Sequence, residues 1–148
     1  VIWNNNKIDL SDLLKLFWEC HDPTQGDRQG NDSGSQYRSA IYTTTENQLI
    51  KAIDSKKSYQ EELKNNGFGE ITTEIANDIK FYFAEEYHQQ YLAKPGSRPY
   101  CSAMPTKVEF KNFKGSNFKL NEKIWSYYNW DISHCILRGE NTPIQSNS

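Results

Sequence analysis

The chain has 148 residues, of which 36% are hydrophobic and 24% charged, and its formal net charge is −2. These values fit a single soluble globular domain with a modest core and exclude an intrinsically disordered chain. Lys and Arg form no cluster, which argues against a nucleic acid partner, and no apolar run is long enough to span a bilayer.

Three cysteines occur, at Cys20, Cys101 and Cys135. Their odd number and wide spacing argue against a secreted disulfide framework and against a metal site, so we expect a reducing compartment such as the cytoplasm. The chain begins with Val1, and residues 1–3 have the pattern of a strand, so we expect the sequence to begin inside a folded element. Targeting to an organelle therefore stays open.

The first predicted element is a short helix that begins after Asp9. Asp12 stands three residues further on, as a capping box requires, and Phe17 lies on the apolar side. Residues 21–36 are polar and rich in Gly and predict a long loop, which in a small domain is often functional. The alternation that follows predicts a strand over residues 37–42.

Thr45 and Gln48 predict the start of a second helix that runs toward Leu63. A strand is predicted over residues 71–75 and a third helix over residues 84–92. One face of the third helix is expected to carry three ring side chains, Tyr87, His88 and Tyr91.

Helices and strands alternate at short spacing, which predicts an α+β fold with a mixed sheet, helices packed on it and long loops. We place the domain at residues 1–106. Residues 107–148 are predicted to be a polar, irregular C-terminal extension.

Several blocks of sequence closely resemble the A-type peptide methionine sulfoxide reductases. They occur in that family's order: residues 21–24 (His-Asp-Pro-Thr), 28–39 (Arg-Gln-Gly-Asn-Asp-Ser-Gly-Ser-Gln-Tyr-Arg-Ser), 71–75 (Ile-Thr-Thr-Glu-Ile), 81–92 (Phe-Tyr-Phe-Ala-Glu-Glu-Tyr-His-Gln-Gln-Tyr-Leu) and 100–101 (Tyr-Cys). One block could arise by chance, but five blocks in the family's order indicate common descent.

The resemblance implies a ferredoxin-like two-layer core and a monomeric enzyme without cofactor or metal. It implies reduction of the S epimer of methionine sulfoxide, free or in oxidised proteins. In that family a cysteine thiolate attacks the sulfoxide sulfur and becomes a sulfenic acid. A second cysteine then forms a disulfide, which thioredoxin reduces.

The sequence departs from the family in one important respect. The family's nucleophile lies in a Gly-Cys-Phe-Trp-Gly motif and its acidic residue in a Gly-His-x-Glu segment, and neither occurs in these 148 residues. Phe17 and Trp18 precede Cys20, but the order differs and no Gly flanks them. We therefore expect the chain as given to be an inactive part of the enzyme.

The resemblance assigns roles to residues that have plainer readings. Tyr37 would donate its hydroxyl to the sulfoxide oxygen, although alone it reads as a half-buried strand residue. Asp32 would order a water and the substrate, although Asp in a Gly-rich loop is usually a turn former. His88 and Tyr100 would line the substrate pocket, although a lone His on an aromatic helix face is more often a core residue.

Cys101 corresponds to the family's resolving cysteine, but Pro99 stands where the family has Gly, and no Gly-rich run follows. Cys135 is either a second recycling thiol or a buried residue of the extension. Cys20 reads as a small hydrophobic residue. Two other classes of function stay open: a non-catalytic relative that binds methionine sulfoxide, and a thiol partner acting through Cys101 and Cys135.

Overall fold

The first helix and its cap match the sequence prediction. In the computed structural model the described residues are 1–89, 91, 94–96 and 103–111. Helix α1 spans Leu10–Glu19. The Asp9 carboxylate accepts from the backbone N–H groups of Ser11 and Asp12, at 2.6 and 3.2 Å, and Asp12 Oδ2 accepts from Asp9 N–H at 3.0 Å. This reciprocal pairing fixes where the helix begins.

Helix α2 spans Glu46–Asn65 and begins where it was predicted. The Thr45 hydroxyl oxygen accepts from Gln48 N–H at 3.3 Å. The buried side of α2 is formed by residues at helical spacing, namely Ala52, Ser55, Tyr59 and Leu63. Since Gly67 has a φ of 81°, it supplies the left-handed turn that ends the helix.

Two short strands on either side of α2 pair in parallel. Strand β3 is Ala40–Thr43 and strand β4 is Glu74–Asn77, with Ala40 opposite Glu74 and Thr43 opposite Asn77. Helix α2 is thus the crossover of a β-α-β unit, as a parallel pair requires. A further hairpin, which the sequence did not predict, joins β1 (Arg28–Gln29) to β2 (Asp32–Ser33).

Three strand predictions need correction. Tyr37 does not open a strand, because Ser35–Tyr37 forms a 3₁₀ helix and β3 starts at Ala40. Pairing with β3 begins at Glu74 rather than at residue 71, because Thr72 N–H donates to Pro23 O instead. Residues 1–3 form no strand.

The core lies between the two helices and a segment near the end of the described residues. Its buried hydrophobic members are Leu14, Trp18, Ala52, Tyr59, Leu63, Ile71, Val108 and Phe110. Trp18 is fully buried, and its indole N–H donates to Ser55 Oγ at 2.9 Å. The combination of helices with small parallel and antiparallel sheets confirms the α+β prediction.

The helix predicted over residues 84–92 is wrong for the residues that the structure describes. Residues 86–89 form turns, with His88 N–H donating to Glu85 O at 2.8 Å. Neighbouring side chains are exposed, including Phe81 at 76% and Phe83 at 86%. Because a short helix depends on burying one face, the aromatic pattern alone did not suffice to form it.

Val108 and Phe110 stand beyond the predicted domain boundary at residue 106, yet both are buried in the core. The division into 1–106 and 107–148 stays a prediction, and residues 112–148 lie outside the described part of the chain. None of the described helices is long and apolar enough to cross a membrane.

Candidate active site

His21 anchors the start of the long loop through a buried hydrogen-bond chain. Its Nδ1 lies 2.8 Å from Phe17 O, and its Nε2 lies 2.7 Å from Ser39 Oγ. A carbonyl cannot donate, so Nδ1 carries the proton and neutral Nε2 accepts from the Ser39 hydroxyl. Ser39 Oγ in turn lies 2.8 Å from Thr73 Oγ1, which therefore donates to it. These hydrogen bonds connect the end of α1 to the residues that precede the two parallel strands.

Residues 22–30 form a loop whose own side chains hold its backbone. Asp22 Oδ1 accepts from Thr24 N–H and from the Thr24 hydroxyl, at 2.9 and 2.7 Å, and Asp22 Oδ2 accepts from Gln25 at 3.0 Å. Gln25 Oε1 accepts from Gly30 N–H at 2.9 Å. These bonds make an ordered unit of a loop that its composition alone would leave flexible.

The loop is also bound to the chain before β4. Thr72 N–H and the Thr72 hydroxyl both donate to Pro23 O, at 2.9 and 3.0 Å. The same hydroxyl accepts from Gly26 N–H at 2.9 Å. Gly26 has a φ of 64°, which a residue with a Cβ adopts only at a cost. The loop is thereby fixed against the β-α-β unit.

Asp32 and Tyr37 lie on adjoining elements of this loop. Asp32 is partly buried in β2, opposite Gln29 of β1, and the 3₁₀ helix that contains Tyr37 contacts the hairpin. Tyr37 is 42% exposed, so its ring stands at the surface, where a substrate can reach it. The structure thus brings these two predicted residues into one region.

An ion pair next to Tyr37 joins Arg38, which precedes β3, to Glu74 of β4. Arg38 Nε donates to Glu74 Oε2 at 2.9 Å, and Arg38 also donates to the Tyr42 hydroxyl at 3.0 Å. The hydrogen bond from Arg38 lowers the pKa of the Glu74 carboxyl, and the same bond raises the pKa of the Arg38 guanidinium. All three side chains are exposed, so the pair orders this surface rather than stabilising the fold strongly.

The other predicted site residues are placed differently. His88 is exposed, with its ring centroid 4.4 Å from that of Tyr87. It is therefore not a buried core residue, which was the alternative interpretation of this histidine. Tyr100, Cys101 and Cys135 lie outside the described residues. Cys20 caps the end of α1, where its Sγ lies 3.3 Å from Phe17 O.

No sequence pattern predicted how the backbone of residues 103–111 is held. Tyr59 donates to Val108 O at 2.9 Å, and burial raises the pKa of this tyrosine to about 12, so its hydroxyl stays protonated. Glu19 Oε1 accepts from Phe110 N–H at 2.7 Å, and Lys15 donates to Phe110 O at 3.1 Å. Both helices therefore bind the backbone of this segment.

We expect acid to weaken the fold through His21. Burial lowers the pKa of this imidazole below its usual 6.5, against the opposing effects of Phe17 and Asp22. The unfolded chain then binds the proton more readily, so the stabilisation is present above pH 6.5 and is lost as the pH falls through the folded pKa. One proton gives a slope of at most about 1.4 kcal/mol per pH unit.

Urea unfolding between pH 7.5 and 5 measures this slope, and His21→Gln should flatten it. Replacement of the exposed His88 by Gln is the matched control. Equal pH profiles for the unmodified chain and His21→Gln would contradict the prediction.

Among the described residues, no group of three or more His, Cys, Asp and Glu side chains lies close enough together to hold a metal ion. The chemistry available in the described region is instead that of hydroxyl and carboxylate groups beside an ordered loop.

Known proteins resemble this chain in sequence over most of its length. A sequence model described as peptide methionine sulfoxide reductase matches residues 1–121. Peptide methionine sulfoxide reductase MsrA of Pseudomonas entomophila is 61% identical over 108 residues, which cover 73% of this chain and 48% of that protein. The human mitochondrial peptide methionine sulfoxide reductase is 52% identical over 108 residues, covering 73% of this chain and 46% of that protein.

A solved structure agrees with these sequence matches. Methionine sulfoxide reductase A of Corynebacterium diphtheriae superposes with a TM-score of 0.57 at 43% identity, covering 61% of this chain and 46% of that one. The chain spans about half the length of the curated relatives it matches. Since the family model extends from the first residue through residue 121, the chain belongs to the peptide methionine sulfoxide reductase family.

Proposed function

We propose that the protein to which these residues belong reduces the S epimer of methionine sulfoxide, free or in oxidised proteins, to methionine. The observation that carries the proposal is the match of residues 1–121 to the family, together with the ordered loop that ends at the exposed Tyr37. Such an enzyme repairs oxidative damage, because it restores an apolar thioether from a polar sulfoxide.

The proposed reaction moves one oxygen atom from substrate to enzyme. A cysteine thiolate attacks the sulfoxide sulfur, a proton reaches the sulfoxide oxygen, and methionine leaves. The oxygen remains on the cysteine as a sulfenic acid, so the enzyme sulfur is oxidised by two electrons while the substrate is reduced. The developing charge is on the substrate oxygen, where a hydroxyl donor acts most strongly.

In this scheme Tyr37 donates to that oxygen, and Asp32 orders a water and the polar end of the substrate. His88 and Tyr100 line the pocket. The exposure of Tyr37 supports this role, because a fully buried hydroxyl could not meet a substrate. The role of Asp32 is supported by its place on the hairpin that the 3₁₀ helix of Tyr37 contacts.

Cys101 is the proposed resolving thiol. It attacks the sulfenic acid, and thioredoxin then reduces the resulting disulfide by exchange. Cys135 is the second thiol that could take part in recycling. We further propose a monomer that needs no cofactor. The expected compartment is the cytoplasm, while the human relative is named as mitochondrial.

These 148 residues contain no Gly-Cys-Phe-Trp-Gly motif, so we propose that they are inactive by themselves. The test compares the purified 148-residue chain with a full-length family member that carries the motif, using dabsyl-methionine sulfoxide and dithiothreitol. Only a chain that carries the nucleophile motif should release methionine. Turnover by the 148-residue chain would oblige Cys20, Cys101 or Cys135 to be the nucleophile.

The absence of that motif also favours a second candidate, a relative that binds methionine sulfoxide without reducing it. The coding sequence upstream of Val1 distinguishes the two candidates. A nucleophile motif in frame there supports the enzyme. A start codon immediately before Val1, together with calorimetric binding of methionine sulfoxide and no turnover, supports the binding protein.

A further inference from the structure

The short 3₁₀ helix that carries Tyr37 is held by backbone hydrogen bonds at both ends. At its start Gly34 N–H donates to Asp27 O at 2.8 Å, and at its end Arg38 N–H donates to Ser35 O at 3.3 Å. Among the residues that the structure describes, the Tyr37 hydroxyl makes no hydrogen bond. No hydrogen bond of its own therefore fixes the ring, whose position follows the backbone of this helix.

The Arg38 side chain connects this helix to strand β4. Arg38 has an extended backbone, with φ −62° and ψ 145°, so its side chain leaves the same face as Ala40 at the start of β3. Glu74 stands opposite Ala40 and shares that face. Arg38 Nη1 donates to Ser35 O at 2.8 Å, while Arg38 Nε donates to Glu74 Oε2 at 2.9 Å. One guanidinium thus binds the helix and β4 at once.

This connection requires an arginine. The guanidinium is a rigid planar group whose donors point in fixed directions, whereas the single ammonium of a lysine ends a flexible stem and cannot hold both acceptors in one geometry. A third donor of Arg38 bonds the Tyr42 hydroxyl at 3.0 Å, but its loss leaves the bonds to Ser35 and Glu74 intact. Because these groups are exposed, the connection orders a surface and adds little to stability.

We propose that Arg38 is a positioning residue for Tyr37, which binds the Ser35 carbonyl to Glu74 and so holds the Tyr37 hydroxyl where it donates to the sulfoxide oxygen. The inference rests on the proposed function. Arg38 contacts no reacting atom and transfers no proton. A donor that is already in place before the reaction stabilises developing charge without reorganisation, so loss of Arg38 can cost at most the contribution of the hydroxyl, about tenfold.

Hydrogen exchange of the Tyr37 amide in the 148-residue chain tests whether Arg38 holds the helix. This N–H donates to Gly34 O at 2.9 Å, so its exchange rate, measured by NMR, reports opening of the helix. We expect Arg38→Lys to raise the rate about three- to tenfold, as for loss of one hydrogen bond. Arg28→Lys is the matched control, because Arg28 bonds only the Gly30 carbonyl at 2.8 Å, which a lysine can also reach.

A double-mutant cycle tests whether the position matters for the reaction, with these residues joined to a segment that carries the family's nucleophile motif. Arg38→Lys should lower single-turnover methionine release at saturating substrate about three- to tenfold. In the Tyr37→Phe background it should change nothing further, because the hydroxyl that it positions is absent. Glu74→Gln retains an acceptor for Arg38 and should slow release less than Glu74→Ala does.

The outcomes separate this inference from the proposed function. If the unmodified joined chain releases no methionine, the proposed function fails, while the exchange measurement still decides whether Arg38 holds the helix. If methionine is released and Arg38→Lys slows both backgrounds by the same factor, or slows neither, the positioning role is overturned. Unchanged exchange of the Tyr37 amide in Arg38→Lys overturns it as well, and so does normal release by Tyr37→Phe, which would leave no donor to position.

Discussion

Replacing Tyr37 with Phe is expected to lower the rate of methionine release about tenfold when these residues are joined to a segment that carries the family's nucleophile motif. Removal of a donor to a developing oxyanion costs about ten- to a thousandfold where that donor acts alone. The effect should lie at the small end of this range, because the family resemblance implies that the acidic residue of the Gly-His-x-Glu segment would share the oxygen with Tyr37. Stability should change little, since Tyr37 is 42% exposed.

Tyr42→Phe is the matched control for this prediction. Tyr42 is 45% exposed and lies five residues away on β3, where its hydroxyl meets Arg38 rather than the hairpin. Single-turnover methionine release and urea melts should be measured for both variants. Equal rates for Tyr37→Phe and Tyr42→Phe would make Tyr37 a surface residue without a role in the reaction.

The parts of the fold that could be predicted from sequence are those fixed by neighbouring residues. The cap of α1 depends on Asp9 and Asp12, and the start of α2 depends on Thr45 and Gln48, so three or four residues contain the whole signal. Both helices begin where predicted. The α+β class followed from the order of such local patterns.

The strands and the third helix depended on distant partners. β4 starts at Glu74 because the preceding Thr72 is bound to Pro23, which is 49 residues away in sequence. Residues 84–89 have the aromatic spacing of a helix, but exposed rings such as Tyr87 bury no face against the described residues. Hydrophobic periodicity indicates which element a segment can form. It does not show whether the rest of the protein offers an apolar surface for that element to pack against.

The candidate site also has parts that local sequence predicts and parts that depend on distant residues. Asp32 and Tyr37 belong to one loop, so their proximity could be expected from sequence. The hydrogen bond between Gln29 and Met104 joins residues 75 positions apart in sequence, and no local sequence pattern predicts it. His21 did carry a signal that was missed: a histidine four residues after Phe17, at the end of a helix, is well placed to bond a terminal carbonyl.

Replacing Cys101 with Ser should affect a different step from Tyr37→Phe. The first turnover should still release one methionine per enzyme, because attack on the sulfoxide does not use the resolving thiol. Recycling by thioredoxin should stall, since the sulfenic acid then lacks a partner with which to form the disulfide that thioredoxin reduces.

Two measurements distinguish the cysteines: single-turnover methionine release, and steady-state oxidation of NADPH with thioredoxin and its reductase. Cys135→Ser is the matched control, and Cys20→Ser tests the thiol at the end of α1. If Cys101→Ser cycles at the normal rate and Cys135→Ser does not, Cys135 is the resolving thiol. If both single variants cycle normally and the double variant does not, either thiol can resolve the sulfenic acid. If the double variant also cycles normally, neither cysteine is needed for recycling.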